Sequence, residues 1–193
     1  MTRISRRGLL QTGVAAGVLA ASGLPLRAQT RGGKLTAGLS GANTSDSWDS
    51  RTHSDLFMIA CAQGSVFDSL TEVAADGSLV GELAESWEAS SDAKTWTFNL
   101  RQGVTFHNGK AFGADDVIES LQMHLGEESK SAAKPIVENI VEMNKMTDHQ
   151  VQLVLANGNA DLPYLLSDYH ILIYPAGQIE EAIANGIGTG LYQ

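Results

Sequence analysis

In Thr95-Trp96-Thr97-Phe98-Asn99-Leu100-Arg101, three large apolar side chains alternate with polar ones. A period of two places Trp96, Phe98 and Leu100 on one face of a half-buried strand. Burying each aromatic ring there contributes roughly 1.5–3 kcal/mol, which assigns the rings to a core rather than to a ligand platform. Just upstream, Ser91-Asp92-Ala93-Lys94 separates this strand from a second β segment, Ser86 to Ser90.

Downstream, Val104 to His107 continues as a short strand into Asn108-Gly109. That dipeptide favours a tight hairpin turn, because both positions tolerate positive φ. A helix is expected from Ala114 to Gly126, with Asp115 and Asp116 in its first turn, where carboxylates complement the positive end of the helix dipole. They read as helix chemistry rather than as a catalytic pair. A helical turn over 135–140 precedes a hairpin formed by Val141–Met146 and Gln150–Leu155, in which Val151, Leu153 and Leu155 alternate. Pro163 opens a short helix through Leu166, His170 to Tyr174 reads as an apolar strand, and Gln178 to Asn185 as a helix. Towards the N-terminus the pattern gives a strand over Lys34–Leu39, a polar loop over Asn43–Arg51, a helix over Asp55–Ser69 and a turn at Ala75-Asp76-Gly77-Ser78. Strands mixed with helices place the chain in the α/β or mixed α+β class.

Residues 1–28 contain four arginines and no acidic residue, with Arg6 and Arg7 adjacent ahead of an apolar run from Leu9 to Leu26. This is the n-region and h-region order of a signal peptide, with a small residue, Ala28, before Gln29 as the cleavage point. Ser5-Arg6-Arg7-Gly8-Leu9-Leu10 resembles the twin-arginine export motif, which implies the twin-arginine machinery as a partner; a general secretory signal is the alternative. Gly, Ala, Thr, Ser and Gln dilute the run and Pro25 interrupts it, which argues against a transmembrane anchor. Without those four arginines, nine basic residues face 22 acidic ones, a net charge of −13. So acidic a chain is a poor match for nucleic acid. Cys61 is the single cysteine, so no intramolecular disulfide staples the exported domain, and it reads as a small apolar core residue.

No pattern for catalysis or metal binding emerges. His53, His107, His124, His149 and His170 are dispersed, with no His-Glu-x-x-His and no cysteine pair, so neither a metal site nor a cofactor is expected. Gly186, Gly188 and Gly190 lack the Gly-x-Gly-x-x-Gly spacing that cradles a phosphate and read as a turn or hinge. A Gly-x-Ser-x-Gly nucleophile elbow is missing too.

Several motifs, in order, carry a specific resemblance: Ala84-Glu85-Ser86-Trp87-Glu88; Asp92 through Arg101; Gly103-Val104-Thr105-Phe106-His107-Asn108-Gly109; and Ala114-Asp115-Asp116-Val117. With Arg31 to Leu35, Phe67-Asp68-Ser69-Leu70 and Gly188-Thr189-Gly190, they resemble the family 5 solute-binding proteins, the dipeptide and oligopeptide binders of ABC importers. Leu191 departs from the family, in which proline often follows Gly-Thr-Gly. The resemblance implies a type II-like periplasmic binding protein clamshell, of which this chain would hold only the start of lobe one and its inserted small domain. On that reading residues 1–28 are the signal peptide, 29–54 the first strand and loop of lobe one, 55–186 the inserted small α/β domain, and 187–193 the return to lobe one. It further implies a periplasmic protein that is not an enzyme, takes a peptide or related solute, and passes it to membrane permease subunits.

In such a clamshell Trp87, Trp96, Phe98 and Phe106 are scaffold. The positions of this chain that match the family's cleft are the polar loop after the first strand and the segment beyond it, and these supply Asn43, His53, Asp55 and Phe57 as candidate ligand contacts. A peptide amino group calls for a carboxylate such as Asp55, although Asp55 also reads as the cap of the following helix. An exported enzyme with catalytic residues further along, or a chaperone built on the same fold, stays open as an alternative.

Overall fold

The computed structural model describes residues 36–193, and Leu39–Gln193 forms a unit of its own. The expected signal segment, its cleavage point, residues 31–35 and the start of the first strand lie outside the described residues. In chain order the elements are α1 (Leu56–Ala62), β1 (Thr71–Val73), β2 (Leu79–Gly81), β3 (Ala84–Ala89), β4 (Thr95–Leu100), α2 (Ala114–Gln122), α3 (Lys134–Val137), β5 (Ile140–Thr147), β6 (Gln150–Leu155), α4 (Leu162–Leu165) and α5 (Ile179–Asn185). β1 and β2 pair as a small hairpin, and the other strands form one antiparallel sheet in the order β3-β4-β6-β5.

The alternation read in the sequence is what builds the core. Trp96, Phe98 and Leu100 of β4 and Val151, Leu153 and Leu155 of β6 are all buried on one face, with Phe98 paired to Val151 and Trp96 to Leu153. Because β4 and β6 are the central strands, their inward residues meet neighbours on both sides, and α2 covers them with Ala114, Val117 and Leu121. The Trp96 indole N–H donates to the carbonyls of Ala93 and Asn159, each at 3.2 Å, so the ring's polar handle is satisfied inside the core. Trp87, on the edge strand β3, is only half buried and packs against this cluster. A smaller second cluster gathers Ala62, Val66, Phe67, Leu172, Tyr174 and Ala182, with the Phe67 and Tyr174 rings 4.8 Å apart.

Some expectations are corrected by the packing. The helix that begins after Asp55 stops at Ala62 instead of running to Ser69, because Gly64 turns the chain and the Phe67 N–H returns to the Ala62 carbonyl. Residues 36–39 form no strand, and no described residue pairs with them. His170–Tyr174 is buried but is not a strand either: Ile173 N–H donates to the Asp68 carbonyl and Tyr174 N–H to the Ser120 hydroxyl, so its backbone is satisfied one group at a time. At Asn108-Gly109 only Gly109 takes positive φ (85°), Asn108 Oδ1 accepts from Lys110 N–H, and a single bridge between Thr105 and Ala111 replaces the expected hairpin ladder. α2 ends at Gln122 rather than Gly126, and the β1–β2 hairpin around Asp76-Gly77 has strands too short to show a period.

Asp116 is a structural clamp. Almost wholly buried, its carboxylate accepts from Gly113 N–H at 2.8 Å and Ala176 N–H at 2.7 Å and pairs with Lys110 Nζ. His107 plays a similar part for the glycine run: its Nδ1 accepts from Gly188 N–H at 3.2 Å and its Nε2 donates to the Gly190 carbonyl at 2.8 Å. Gly188 lies flush on the Val66 backbone, where a Cβ would fall 1.9 Å from the carbonyl oxygen, so only glycine fits.

Candidate functional site

The loop from Asn43 to Asp55 is built from short polar residues that bond to their own backbone. Asn43 Oδ1 accepts from Ser45 N–H and from the Ser45 hydroxyl, while Asn43 N–H donates to Asp46 Oδ2 at 2.8 Å. Asp49 caps a single tight helical turn, Ser50–Thr52, and holds Arg51 through two side-chain contacts of 2.8 Å. Burial works against the Asp49 carboxylate, yet the Arg51 partner outweighs it and holds the group below its usual range.

Three of the four expected contact residues come together. Asn43, His53 and Asp55 line one polar depression of about 140 Å³ with Ser45, Asp46 and Ser47. Phe57 lies on the adjoining depression of about 250 Å³, with Trp48, Met58 and Cys61. Asn43 is exposed and its amide also donates to the Gly41 carbonyl. Asp55 Oδ1 accepts from Met58 N–H at 3.0 Å as the cap of α1, and Gly41 crowds it so closely that a Cβ there would lie 2.6 Å from Oδ1. The carboxylate is therefore partly committed to the helix.

His53 is 3% exposed. Its Nε2 donates to the Ser47 carbonyl at 3.0 Å, and its Nδ1 has no hydrogen-bond partner among the described residues. Burial, more than any neighbour, lowers its pKa below the ordinary 6.5.

Other participants come from far along the chain, where no local pattern could have announced them. The Tyr174 hydroxyl accepts from Ser50 N–H at 3.0 Å and donates to the Trp48 carbonyl at 2.7 Å. His170 Nε2 lies 2.9 Å from the His53 carbonyl and Nδ1 2.7 Å from Asp168 Oδ1. A wider, open depression of about 510 Å³ flanks the loop, bounded by Asp49, Arg51 and His53 on one side and Glu128, Lys130 and Ser131 on the other. Among the described residues no group of three or more His, Cys, Asp or Glu is arranged to hold a metal ion, and no helix is long and apolar enough to cross a membrane. The arrangement can offer hydrogen bonds and an apolar wall to a small polar molecule.

Comparison with known proteins identifies the family. Residues 78–193 match the profile described as Bacterial extracellular solute-binding proteins, family 5 Middle. The Nickel-binding periplasmic protein of Escherichia coli K12 is 36% identical over 104 residues, which is 54% of this chain and 20% of that protein. The Dipeptide-binding protein of the same organism is 34% identical over 142 residues, 58% of this chain and 26% of its own length. In three dimensions the periplasmic binding protein AgaA of A. tumefaciens R10, solved with agropinic acid, superposes with a TM-score of 0.68 at 26% identity, over 74% of this chain and 30% of that one. These matches span between a fifth and a third of the relatives' own lengths. A family match over more than half of the chain, on the sheet and helices just described, makes this chain a member of the bacterial extracellular solute-binding proteins, family 5.

Proposed function

We propose that the chain serves as the extracytoplasmic solute-binding component of an ABC importer, binding a peptide or a related small solute in the periplasm and delivering it to membrane permease subunits. The observation that carries this reading is the family match over residues 78–193, joined by relatives that are a nickel-binding and a dipeptide-binding protein. Export through the twin-arginine route belongs to the same reading and rests on Ser5-Arg6-Arg7-Gly8-Leu9-Leu10. Asn43, His53, Asp55 and Phe57 are this chain's contribution to the ligand cleft: polar donors and acceptors on one side, an apolar wall with Trp48 on the other. In this reading residues 29–54 and 187–193 belong to lobe one and 55–186 to its inserted domain, and solute is held by groups from both lobes.

Isothermal titration of the exported protein with di- and tripeptides, the nickel–histidine complex and a sugar-acid conjugate tests the proposal. Saturable binding of one class is expected, with affinity reduced by Asn43→Ala and Phe57→Ala. No binding to any class, or binding that both substitutions leave unchanged, overturns the function or the assigned residues respectively.

A further inference from the structure

The loop over 43–53 belongs to no sheet; its Trp48 packs against Phe67, and its hydrogen-bonded attachments run through a few titratable side chains. Tyr174 holds Ser50 and Trp48, His170 holds the His53 carbonyl, and His53 in turn holds Ser47. Across the 510 Å³ depression stands Ser131, 2.6 Å from Nδ1 of His124, a ring with no exposed surface just past the end of α2. Both His53 and His124 carry one buried ring nitrogen without a hydrogen-bond partner among the described residues. A proton arriving on His53 Nδ1 would make a buried cation whose new N–H has no acceptor, since Nε2 is already committed to Ser47.

We propose that this loop is an acid-sensitive latch, seated while His53 is neutral and released when it takes up a proton. Charged groups surround both rings. Asp49 and Asp55 favour a proton on His53 and His170 opposes it; Asp49 and Asp168 favour one on His124, while Arg51 and His170 oppose it. Exposed Glu128 and Lys130 stand on the far rim of the depression. Burial is the largest influence on both rings and lowers both pKa values, that of His124 to about 4. The sign follows from linkage: above the ordinary value of 6.5 the rings are neutral whether the loop is seated or open, and the latch is at full strength. Below 6.5 the open form, in which His53 is solvated, binds a proton that the seated form excludes, and opening gains ground. Both nitrogens of His170 face oxygen acceptors, the His53 carbonyl and the Asp168 carboxylate.

Hydrogen–deuterium exchange of the whole chain between pH 7 and pH 4.5, corrected for the intrinsic pH dependence of exchange, tests the latch. Peptides covering 43–55 should lose protection about tenfold or more while those covering 95–100 and 150–155 stay protected. In the double variant His53→Gln, His124→Asn, which keeps a donor or acceptor in each place and cannot titrate, the loop's protection should be flat with pH. A wild-type loop that stays protected to pH 4.5, or a double variant that opens as the wild type does, overturns the proposal. Should the double variant fail to fold, nuclear magnetic resonance titration of the wild-type histidines decides. His53 must then titrate together with loop opening, and its titration with the loop still seated refutes the latch. Any effect on solute rests on the ligand-site reading above, and affinity at the same pH separates the two. An open loop with unchanged affinity removes the loop from the site and leaves the latch standing; a protected loop refutes the latch whatever the affinity does.

Discussion

The sheet formed by β3, β4, β6 and β5 and the loop over 43–55 are stabilised in opposite ways. In the sheet, backbone ladders run strand to strand and the inward side chains are Trp, Phe, Leu and Val, so each residue depends on several equivalent neighbours. In the loop, single hydrogen bonds from Tyr174 and His170 and the packing of Trp48 on Phe67 hold a largely polar chain against the scaffold, and His53 ties it to itself at Ser47. Redundant apolar burial makes the first region insensitive to pH and costly to breach. Dependence on individual polar side chains makes the second cheap to release, which suits a segment read as meeting a ligand.

The largest effect expected from this contrast is in the sheet. Phe98→Ala removes a side chain with no exposed surface at the centre of β4 and should cost about 3–5 kcal/mol through lost burial and a cavity. Chemical denaturation of wild type and variant measures it, and a midpoint that does not move would show that the ring is not a core element. Tyr174→Phe probes the other side of the comparison. The apolar ring contacts with Phe67 survive, but the buried Ser50 N–H loses its acceptor, and a penalty of about 1–3 kcal/mol should fall on the loop. Exchange at residues 47–53 should then rise while β4 and β6 hold their protection; uniform loss across both regions would erase the difference between them. Burial keeps this phenol protonated, its pKa pushed up to about 12, so the effect should not vary with pH around neutrality.

The smallest effect sharpens the comparison in a third place, where β2 turns into β3. The Glu82 carboxylate accepts from Ser69 N–H at 2.9 Å and from the Ser69 hydroxyl at 3.0 Å, yet burial raises its pKa to about 7, with Asp68 and Glu72 adding repulsion. A raised carboxyl favours the fold most below its ordinary value of 4.5, and that advantage fades as pH rises through about 7. Its slope is opposite to that of the buried histidines. In Glu82→Gln the decline in melting temperature between pH 5 and pH 8 should be shallower than in the wild type. Parallel profiles would mean that Glu82 does not change protonation state over this range.

Much of the scaffold was legible because its signals are local. Alternation in 95–101 and 150–155 placed β4 and β6 and named the buried faces, and the acids at 115 and 116 marked the start of α2. The His170–Tyr174 run misled for a physical reason: apolar content reports burial, and burial does not require a strand when single partners such as Asp68 and Ser120 satisfy the backbone. Asn43, His53 and Asp55 could be named from the resemblance and are neighbours in space. Their supports could not, since His170 is 117 residues from His53 and Tyr174 is 124 from Ser50.

The sequence by itself determined the class of fold, the principal core residues and, through ordered motifs, the family, because periodic burial and turn chemistry are properties of neighbouring residues. Only the tertiary structure decided that Asp116 and His107 are clamps, and that His53 and His124 are buried with a ring nitrogen unpaired among the described residues. These are facts of desolvation and hydrogen-bond pairing. They depend on which distant segments the folded chain presses together, and no local spacing encodes that.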